Sequence, residues 1–298
     1  MKGHAMSVQQ KSTVHRNEPM SKHTSWRLGG PADIYFRPET VDELRGFLRE
    51  LDDSAPVYWT GLGSNLLVRD GGIRGVVIAP SKALGNVDRL PGHRVEAGAG
   101  VPCTALARRC ARWQLGPAEF FAGIPGTVGG ALMMNAGAFG GETWDNVSEV
   151  DTINRRGEVL TRAKSEFKIA YRQVSGPDGE WFVAARFQFT EQLEDGLDRV
   201  RALMRERQAT QPLGLPSCGS VFRNPPGQHA AQLIDSAGLK GFRVGAATVS
   251  EKHANFIINT GGASAADVEE LIAHIRAVVA ESHGIHLELE VHIVGEHA

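Results

Sequence analysis

Gly123-Ile-Pro-Gly-Thr-Val-Gly-Gly130-Ala-Leu-Met-Met-Asn135-Ala-Gly-Ala-Phe-Gly-Gly141 packs seven glycines into nineteen residues. Glycine loses more conformational freedom on folding than any other residue. An ordered chain therefore concentrates it where the backbone takes positive φ or lies against a ligand with no Cβ in the way. The stretch has no charged side chain, and Ile124, Val128, Leu132, Met133, Met134 and Phe139 are core-type residues, which separates it from a disordered linker. Two readings fit: a tightly turned core segment, or a cradle of backbone amides around a large flat or phosphorylated ligand.

Outward from that stretch, the totals bound the answer. The chain has 298 residues, enough for two domains of ordinary size, and its 42% hydrophobic and 22% charged content is that of a soluble globular protein. A net charge of −2 offers no general attraction to nucleic acid or an anionic membrane, so neither is expected as a partner. No apolar run approaches the length of a membrane span. The polar residues 1–19 lack the apolar region of a secretion signal and read as a flexible tail. Cys103, Cys110 and Cys218 are odd in number and lack close metal-ligand spacing; Cys103 and Cys110, seven apart on a predicted helix, read as buried thiols, and the protein as cytosolic and metal-free.

Local signals give the elements. Thr40 with Glu43 predicts a capping box opening a helix whose stripe is Val41, Leu44, Leu48 and Leu51. Short strands are predicted at Val57–Trp59, Val76–Ile78 and Val95–Ala97. Pro102 opens a helix carrying Leu106, Cys110 and Trp113. Strand-like pieces follow at Val147–Ile153 and Phe182–Phe189. Composition changes near Glu191, where Leu193, Leu197, Val200, Leu203 and Met204 mark an amphipathic helix ending before Pro212. The remainder reads helix over 230–237, strand over 256–258, a helix capped by Ser264 and stopped by Gly284, and a closing strand. In that strand Leu287, Leu289, Val291 and Ile293 face one way and Glu288, Glu290 and His292 the other. Short strands with segregated helices argue an α+β fold.

A second glycine loop, Gly61-Leu-Gly-Ser-Asn-Leu-Leu-Val-Arg-Asp70, follows a predicted strand. It offers successive N–H groups around small residues, the makings of an anion nest for a pyrophosphate. It is neither a Walker loop nor a Rossmann fingerprint, since no Gly-Lys-Ser/Thr follows and Leu66 occupies the third glycine position. Gly98-Ala-Gly100-Val-Pro-Cys103 fails the same test and reads as a decoy.

Taken together, Thr24-Ser-Trp-Arg-Leu-Gly-Gly-Pro-Ala-Asp33, Gly61-Leu-Gly-Ser-Asn65 and Gly123-Ile-Pro-Gly-Thr-Val-Gly-Gly130 with Asn135-Ala-Gly137 resemble the FAD-binding domain of the UDP-N-acetylenolpyruvoylglucosamine reductase family. The C-terminal half is similar too, in Ser217-Cys-Gly-Ser220-Val-Phe-Arg-Asn224-Pro, Leu233–Gly241, Val249-Ser-Glu-Lys-His253-Ala-Asn-Phe and Leu287-Glu-Leu-Glu290-Val. The ordered set spans about residues 20–295.

The resemblance implies a vanillyl-alcohol-oxidase-like FAD-binding domain over 20–190, split into two subdomains near residue 85, and a smaller α+β substrate-binding domain over 191–298. It implies non-covalent FAD, NADPH as hydride donor, and reduction of the enolpyruvyl ether of UDP-N-acetylglucosamine to UDP-N-acetylmuramate, a peptidoglycan precursor. The FAD-binding residues implied are Gly61, Leu62, Gly63, Ser64, Asn65, Gly123, Ile124, Pro125, Gly126, Thr127, Gly129, Gly130, Asn135 and Gly137. Arg172, Ser220 and Glu290 match the catalytic positions, with Ser220 as proton donor. Tyr171, Asn224 and His253 resemble substrate contacts. The short interval from Arg172 to Trp181 leaves no room for a substrate lid, which marks the family's second type. Val174 stands where relatives often carry Ser.

The chemistry asks for such residues independently. Hydride addition to an enolpyruvyl group drives negative charge toward its carboxylate, so the site needs a fixed cation there and an acid near the adjacent carbon. An arginine guanidinium stays charged and can hold a carboxylate bidentately. An ionised Glu290 would repel that charge, so it must either pair with Arg172 or hold a proton through burial. Glu288 shares its face, and the choice between the two rests on family register. Two rivals remain: an oxidase of the same fold tethering its flavin through His23, and a non-catalytic nucleotide-binding protein.

Overall fold

Residues 14–192 and 195–298 are described in a computed structural model, and their architecture follows from three apolar layers. The first sheet runs Val14–Pro19, Pro31–Phe36, Ile73–Ile78, Val57–Trp59 in space, antiparallel at its first pair and parallel thereafter. Its strand Ile73–Ile78 is apolar on both faces, as a parallel strand covered on both sides must be. Ile73 and Val77 pack with Met20, Tyr35 and Val68, while Val76 and Ile78 pack with Leu44 and Leu48 of the helix Val41–Glu50. That helix begins where Thr40 Oγ1 accepts from the Glu43 N–H (3.2 Å). The reciprocal half of the expected box differs: the Glu43 carboxylate accepts from the Glu39 N–H (2.7 Å), one residue earlier than Thr40.

The second sheet is antiparallel, in the order Val159–Ala163, Val147–Asn154, Glu180–Gln188, Arg94–Gly98, Val87–Leu90. Val95, Ala97, Val150, Ala185 and Phe187 meet Leu106 and Cys110 of the helix Cys103–Arg112. Ile153 and Val183 reach instead into the Leu44–Leu48 layer and bind the two sheets together. In the last layer the helix Ala265–His283, capped by Ser264 and ended by Gly284 at φ +68°, lays Val268, Leu271, Ile272, Ile275 and Val279 on the strands Ala247–Val249 and Ile257–Asn259. Among the described residues no helix is long and apolar enough to cross a membrane.

Three expectations change. Residues 14–19 are paired strand rather than flexible tail, because Val14, His15, Arg16, Glu18 and Pro19 pair with Pro31–Phe36 in an antiparallel register; residues 1–13 lie outside the described residues. The helix Gly196–Thr210 does not open the C-terminal unit. Its Val200, Leu197 and Met204 pack on the layer containing Leu106 and Phe121, and a Cβ at Gly196 would sit 3.1 Å from Ala111 Cα. We therefore draw the boundary after Thr210 rather than at Glu191; Leu193 itself lies outside the described residues. The closing strand is short: only His292–Val294 is laddered, and Leu289 makes a single bridge to Phe222. The alternation of faces survives, with Leu287 and Val291 buried, because a chain need not be laddered to stay extended.

The units are stitched across the boundary. His292–Val294 runs parallel to Leu66–Val68. Trp26 is fully buried in the C-terminal layer, its Nε1–H donating to Ile257 O (2.7 Å) while Asn259 Nδ2 donates to Trp26 O (2.9 Å). Asp70 caps the helix at residue 265 from the other unit, accepting from the N–H groups of Ala265 (2.9 Å) and Ala266 (3.0 Å).

Two outcomes follow from this packing. Asp70→Ala strands two helix N–H groups and should lower unfolding free energy by about 1–2 kcal/mol, read as a reduced urea midpoint by circular dichroism; an unchanged midpoint would refute the cap. Burial raises the thiols of Cys103, Cys110 and Cys218 to about 12, so native protein at pH 8 should not react with a disulfide reagent until it is unfolded.

Candidate active site

A cavity of about 850 Å³ lies where the three layers meet. One wall is the loop after strand Val57–Trp59, residues 61–65. Another is residues 123–127, continuing into the helix Val128–Met134 through Gly129 and Gly130. The two loops grip each other. Ser64 Oγ donates to Pro125 O (2.6 Å), and a Cβ on Gly61 would lie 2.5 Å from Thr127 Oγ1. Gly63 is required twice over, by φ +60° and by a Cβ position 2.1 Å from His23 O.

Among the described residues, the backbone N–H groups of Gly61, Leu62, Gly63, Ser64 and Asn65, and of Gly126 and Thr127, find no acceptor within the protein. Orphan amides beside a cavity are a nest for phosphate oxygens. A long dinucleotide with a central diphosphate fits this cradle, and FAD is such a molecule. The glycine stretch satisfies both readings of it. Gly126 faces the cavity at φ +136°, whereas Gly129 is held by packing, its Cβ position 2.9 Å from Ala99 Cβ.

Arg172 is the second residue of a two-residue hairpin between Lys168–Ala170 and Gln173–Ser175, and takes φ +54°. A non-glycine residue there is uncommon and often marks a functional position. The turn throws its guanidinium back onto the glycine stretch. Nη1 donates to Asn135 O (3.3 Å), Nη2 to Gly137 O (3.1 Å) and Nε to Glu290 Oε1 (3.2 Å). Tyr171 flanks it, ring centroid 4.7 Å from the guanidinium carbon.

Glu290 arrives from the far end of the chain. Its backbone N–H donates to Val221 O (2.8 Å), and Asn65 Nδ2 donates to its carbonyl (2.9 Å). The two carboxylates, told apart in the sequence only by family register, differ in their surroundings. Glu288 is 78% exposed and only loosely paired with Arg223, while Glu290 is 21% exposed and lines the cavity. Burial raises the Glu290 carboxyl above the ordinary glutamate range, and Arg172 offsets part of that rise. Glu290 thus pairs with Arg172, while burial favours its neutral form.

Ser220 lines the same cavity after Gly219, which takes φ +71°. The chain just beyond it is clamped by Asn255, whose carbonyl accepts from the Val221 N–H (2.9 Å), whose Oδ1 accepts from the Phe222 N–H (3.0 Å) and whose Nδ2 donates to Phe222 O (2.8 Å). Cys218 Sγ meets Gly63 O (3.7 Å) and Leu66 O (3.5 Å), which sets this loop against the first glycine loop.

All expected residues of the loops 61–65 and 123–127, with Gly129, Gly130, Gly137, Tyr171, Arg172, Ser220, Asn224 and Glu290, line this one cavity. Two expected residues do not. Asn135 is a buried left-handed helix cap whose amide bonds Glu142, Ala170 O and the Trp144 N–H, so its side chain supports the hairpin. His253 packs edge-on against Phe256, and its Nδ1 is sealed without a partner. Conversely the supposed decoy contributes Ala99 and Gly100 to the wall, and Glu206, Arg207 and Gln211 were missed. The decoy's glycines after a strand were the available signal. His23 stacks on Tyr35 (4.0 Å), bonds Glu18 (3.0 Å) and lies outside the wall, which gives a flavin tether no support.

Known proteins match this arrangement. A family model described as the FAD binding domain matches residues 32–162, and one described as the C-terminal domain of UDP-N-acetylenolpyruvoylglucosamine reductase matches 211–294. The chain is 58% identical over 280 residues to the UDP-N-acetylenolpyruvoylglucosamine reductase of Alkalilimnicola ehrlichii, covering 94% of each. It is 53% identical to that of Methylococcus capsulatus, covering 96% of this chain and 94% of the relative. The crystal structure of the reductase of that name from Thermus caldophilus superposes with a TM-score of 0.81 at 35% identity, covering 95% of this chain and 98% of that one.

The raised carboxyl of Glu290 has a signed consequence. The folded protein holds this proton more tightly than the unfolded chain. Stability from the group is therefore fully present below the ordinary glutamate value of about 4.3 and is lost as pH rises through the raised one. Glu290→Gln cannot titrate, so the wild type should lose stability relative to this variant as pH increases across that window. Parallel stability–pH curves would refute the assignment.

Proposed function

The chain belongs to the UDP-N-acetylenolpyruvoylglucosamine reductase family, and on that premise we propose how its residues divide the work. It is an FAD-dependent oxidoreductase that reduces UDP-N-acetylenolpyruvoylglucosamine, yielding the UDP-N-acetylmuramate used for peptidoglycan. NADPH is the hydride donor in this reading. The observation that carries it is the convergence of Arg172, Ser220 and Glu290, from three distant stretches of chain, on the cavity that also holds the orphan amides of 61–65 and 126–127.

The amides of those two loops would hold the diphosphate of FAD. Bound there, FAD would supply hydride transfer between the nicotinamide and the enolpyruvyl group. Arg172 stabilises the charge that gathers on the substrate carboxylate. Two of its five N–H donors remain after its bonds to Asn135, Gly137 and Glu290. Glu290 holds the guanidinium in that orientation, and burial, which favours its neutral form, eases its repulsion of the developing anion. Ser220 Oγ–H delivers a proton to the carbon next to the carboxylate. A serine is a weak acid, so it serves only because that carbon is strongly basic and the donor is fixed, here by the bond from the neighbouring Val221 N–H to the Asn255 carbonyl. Tyr171 and Asn224 border the substrate; Asn224 Oδ1 is already committed to the Ala230 N–H (3.0 Å), which leaves its amide nitrogen as the donor.

Ser220→Ala should leave flavin bleaching by NADPH unchanged while slowing reoxidation by substrate about 10²–10⁴-fold, both followed at the flavin band in stopped flow. Equal losses in the two half-reactions would remove Ser220 as proton donor. A wild-type preparation that neither carries nor takes up FAD would end the reading.

A further inference from the structure

Arg207 is the cation on the cavity wall that the catalytic reading leaves unused. It sits in the last turn of the helix Gly196–Thr210, half-buried. Its Nε donates to Gln211 Oε1 (2.7 Å), and Gln211 also lines the cavity. Among the described residues no carboxylate pairs with it, and its two terminal nitrogens have no acceptor; Glu206 borders the cavity without reaching it. A guanidinium drawn out of water with no counter-charge is costly, and burial alone lowers its pKa. Such a group is retained where an anion completes it.

Two features say which anion. Arg172 already serves the carboxylate end of the site and has three of its donors occupied by the protein. The amide nest on 61–65 and 126–127 answers to a different diphosphate. Arg207 instead rides on a helix that packs on the FAD-binding layer through Val200. The end of that helix is tied to the C-terminal unit where Lys252 Nζ donates to Gln208 O. It therefore sits where the two units meet, on the wall of the cavity between them.

We propose that Arg207, oriented by Gln211, binds the diphosphate of the exchangeable nucleotide ligand, a chemistry that the UDP-sugar and the nicotinamide dinucleotide share. The planar fork presents both terminal nitrogens to phosphate oxygens, as arginine does in bidentate recognition. This rests on the reductase reading, and it adds a specificity element from a helix that sequence patterning assigned only to packing.

The test uses flavin-loaded wild type, Arg207→Gln, Arg207→Lys and Gln211→Ala. UDP affinity is read from flavin difference spectra, NADPH and substrate dependence from the two half-reactions. Arg207→Gln should keep its flavin and melting temperature yet bind UDP about 10- to 100-fold more weakly. KM should rise far more than kcat falls. Arg207→Lys should recover part of the loss by restoring charge without the fork, and Gln211→Ala should lose less. A defect confined to substrate assigns the diphosphate to the UDP-sugar, one confined to bleaching assigns it to NADPH, and a defect in both means that they share the site. Unchanged affinities for UDP, substrate and NADPH overturn the proposal, as does loss of FAD from the variant. Failure of the wild type itself to be bleached by NADPH or reoxidised by substrate would instead sink the reductase reading.

Discussion

The parallel pairing of His292–Val294 with Leu66–Val68 is the constraint on which the site depends. It returns the end of the chain to the strand that leaves the first glycine loop. Asn65 can then hold the Glu290 carbonyl, and the carboxylate reaches Arg172. Without that ladder Glu290 would be one of several acidic residues on an extended segment. The surrounding contacts reinforce the same seam: Trp26 plugs the C-terminal layer, Asp70 caps its long helix, and Cys218 lies against the carbonyls of Gly63 and Leu66. Each crosses from one unit to the other. The architecture behaves as one body because its two halves share buried parts.

Within that seam, charge is arranged with little slack. Arg172 stands between Glu290 at 3.2 Å and Glu142 at 3.8 Å, with two backbone carbonyls on its remaining face. Desolvation pulls Glu290 toward its neutral form while the guanidinium pulls the other way, and desolvation is the larger influence. The strained backbone at Arg172 is held by the hairpin on one side and the glycine stretch on the other. The positively charged group is thereby held in place by the protein itself, as its proposed electrostatic role requires.

Much of this was legible in the sequence because it is local. Thr40, Ser264 and Gly284 mark helix ends through hydrogen bonds to residues a few places away. The buried thiols of Cys103 and Cys110 follow from residue habit, and the glycine loops stand out by composition, although the groups that exclude a Cβ at Gly61 and Gly63 are the distant Thr127 and His23. The errors share a cause as well. The helix 196–210 looks like the start of a new unit because composition changes there, yet its apolar stripe meets Leu106 and Phe121 of the preceding one. Asn135 looks like a ligand contact because it follows a glycine cluster, yet its amide is consumed by Glu142, Ala170 and Trp144. Patterning reports that a face is apolar or a group polar, and nothing in it names the partner.

By itself the sequence determined the α+β class, the helix and strand inventory, two glycine loops able to cradle a dinucleotide, and the family with its expected Arg172, Ser220 and Glu290. Tertiary structure decided how Glu290 lies in the cavity while Glu288 stays exposed, a choice that the sequence made only through family register. It alone decided that Asn135 and His253 stay out of the wall, and that Arg207 joins it with no carboxylate partner among the described residues. The reason is physical. Turn, cap and strand preferences are settled by neighbours along the chain, whereas the burial, pairing and proton affinity of a charged group depend on residues a hundred or more positions away.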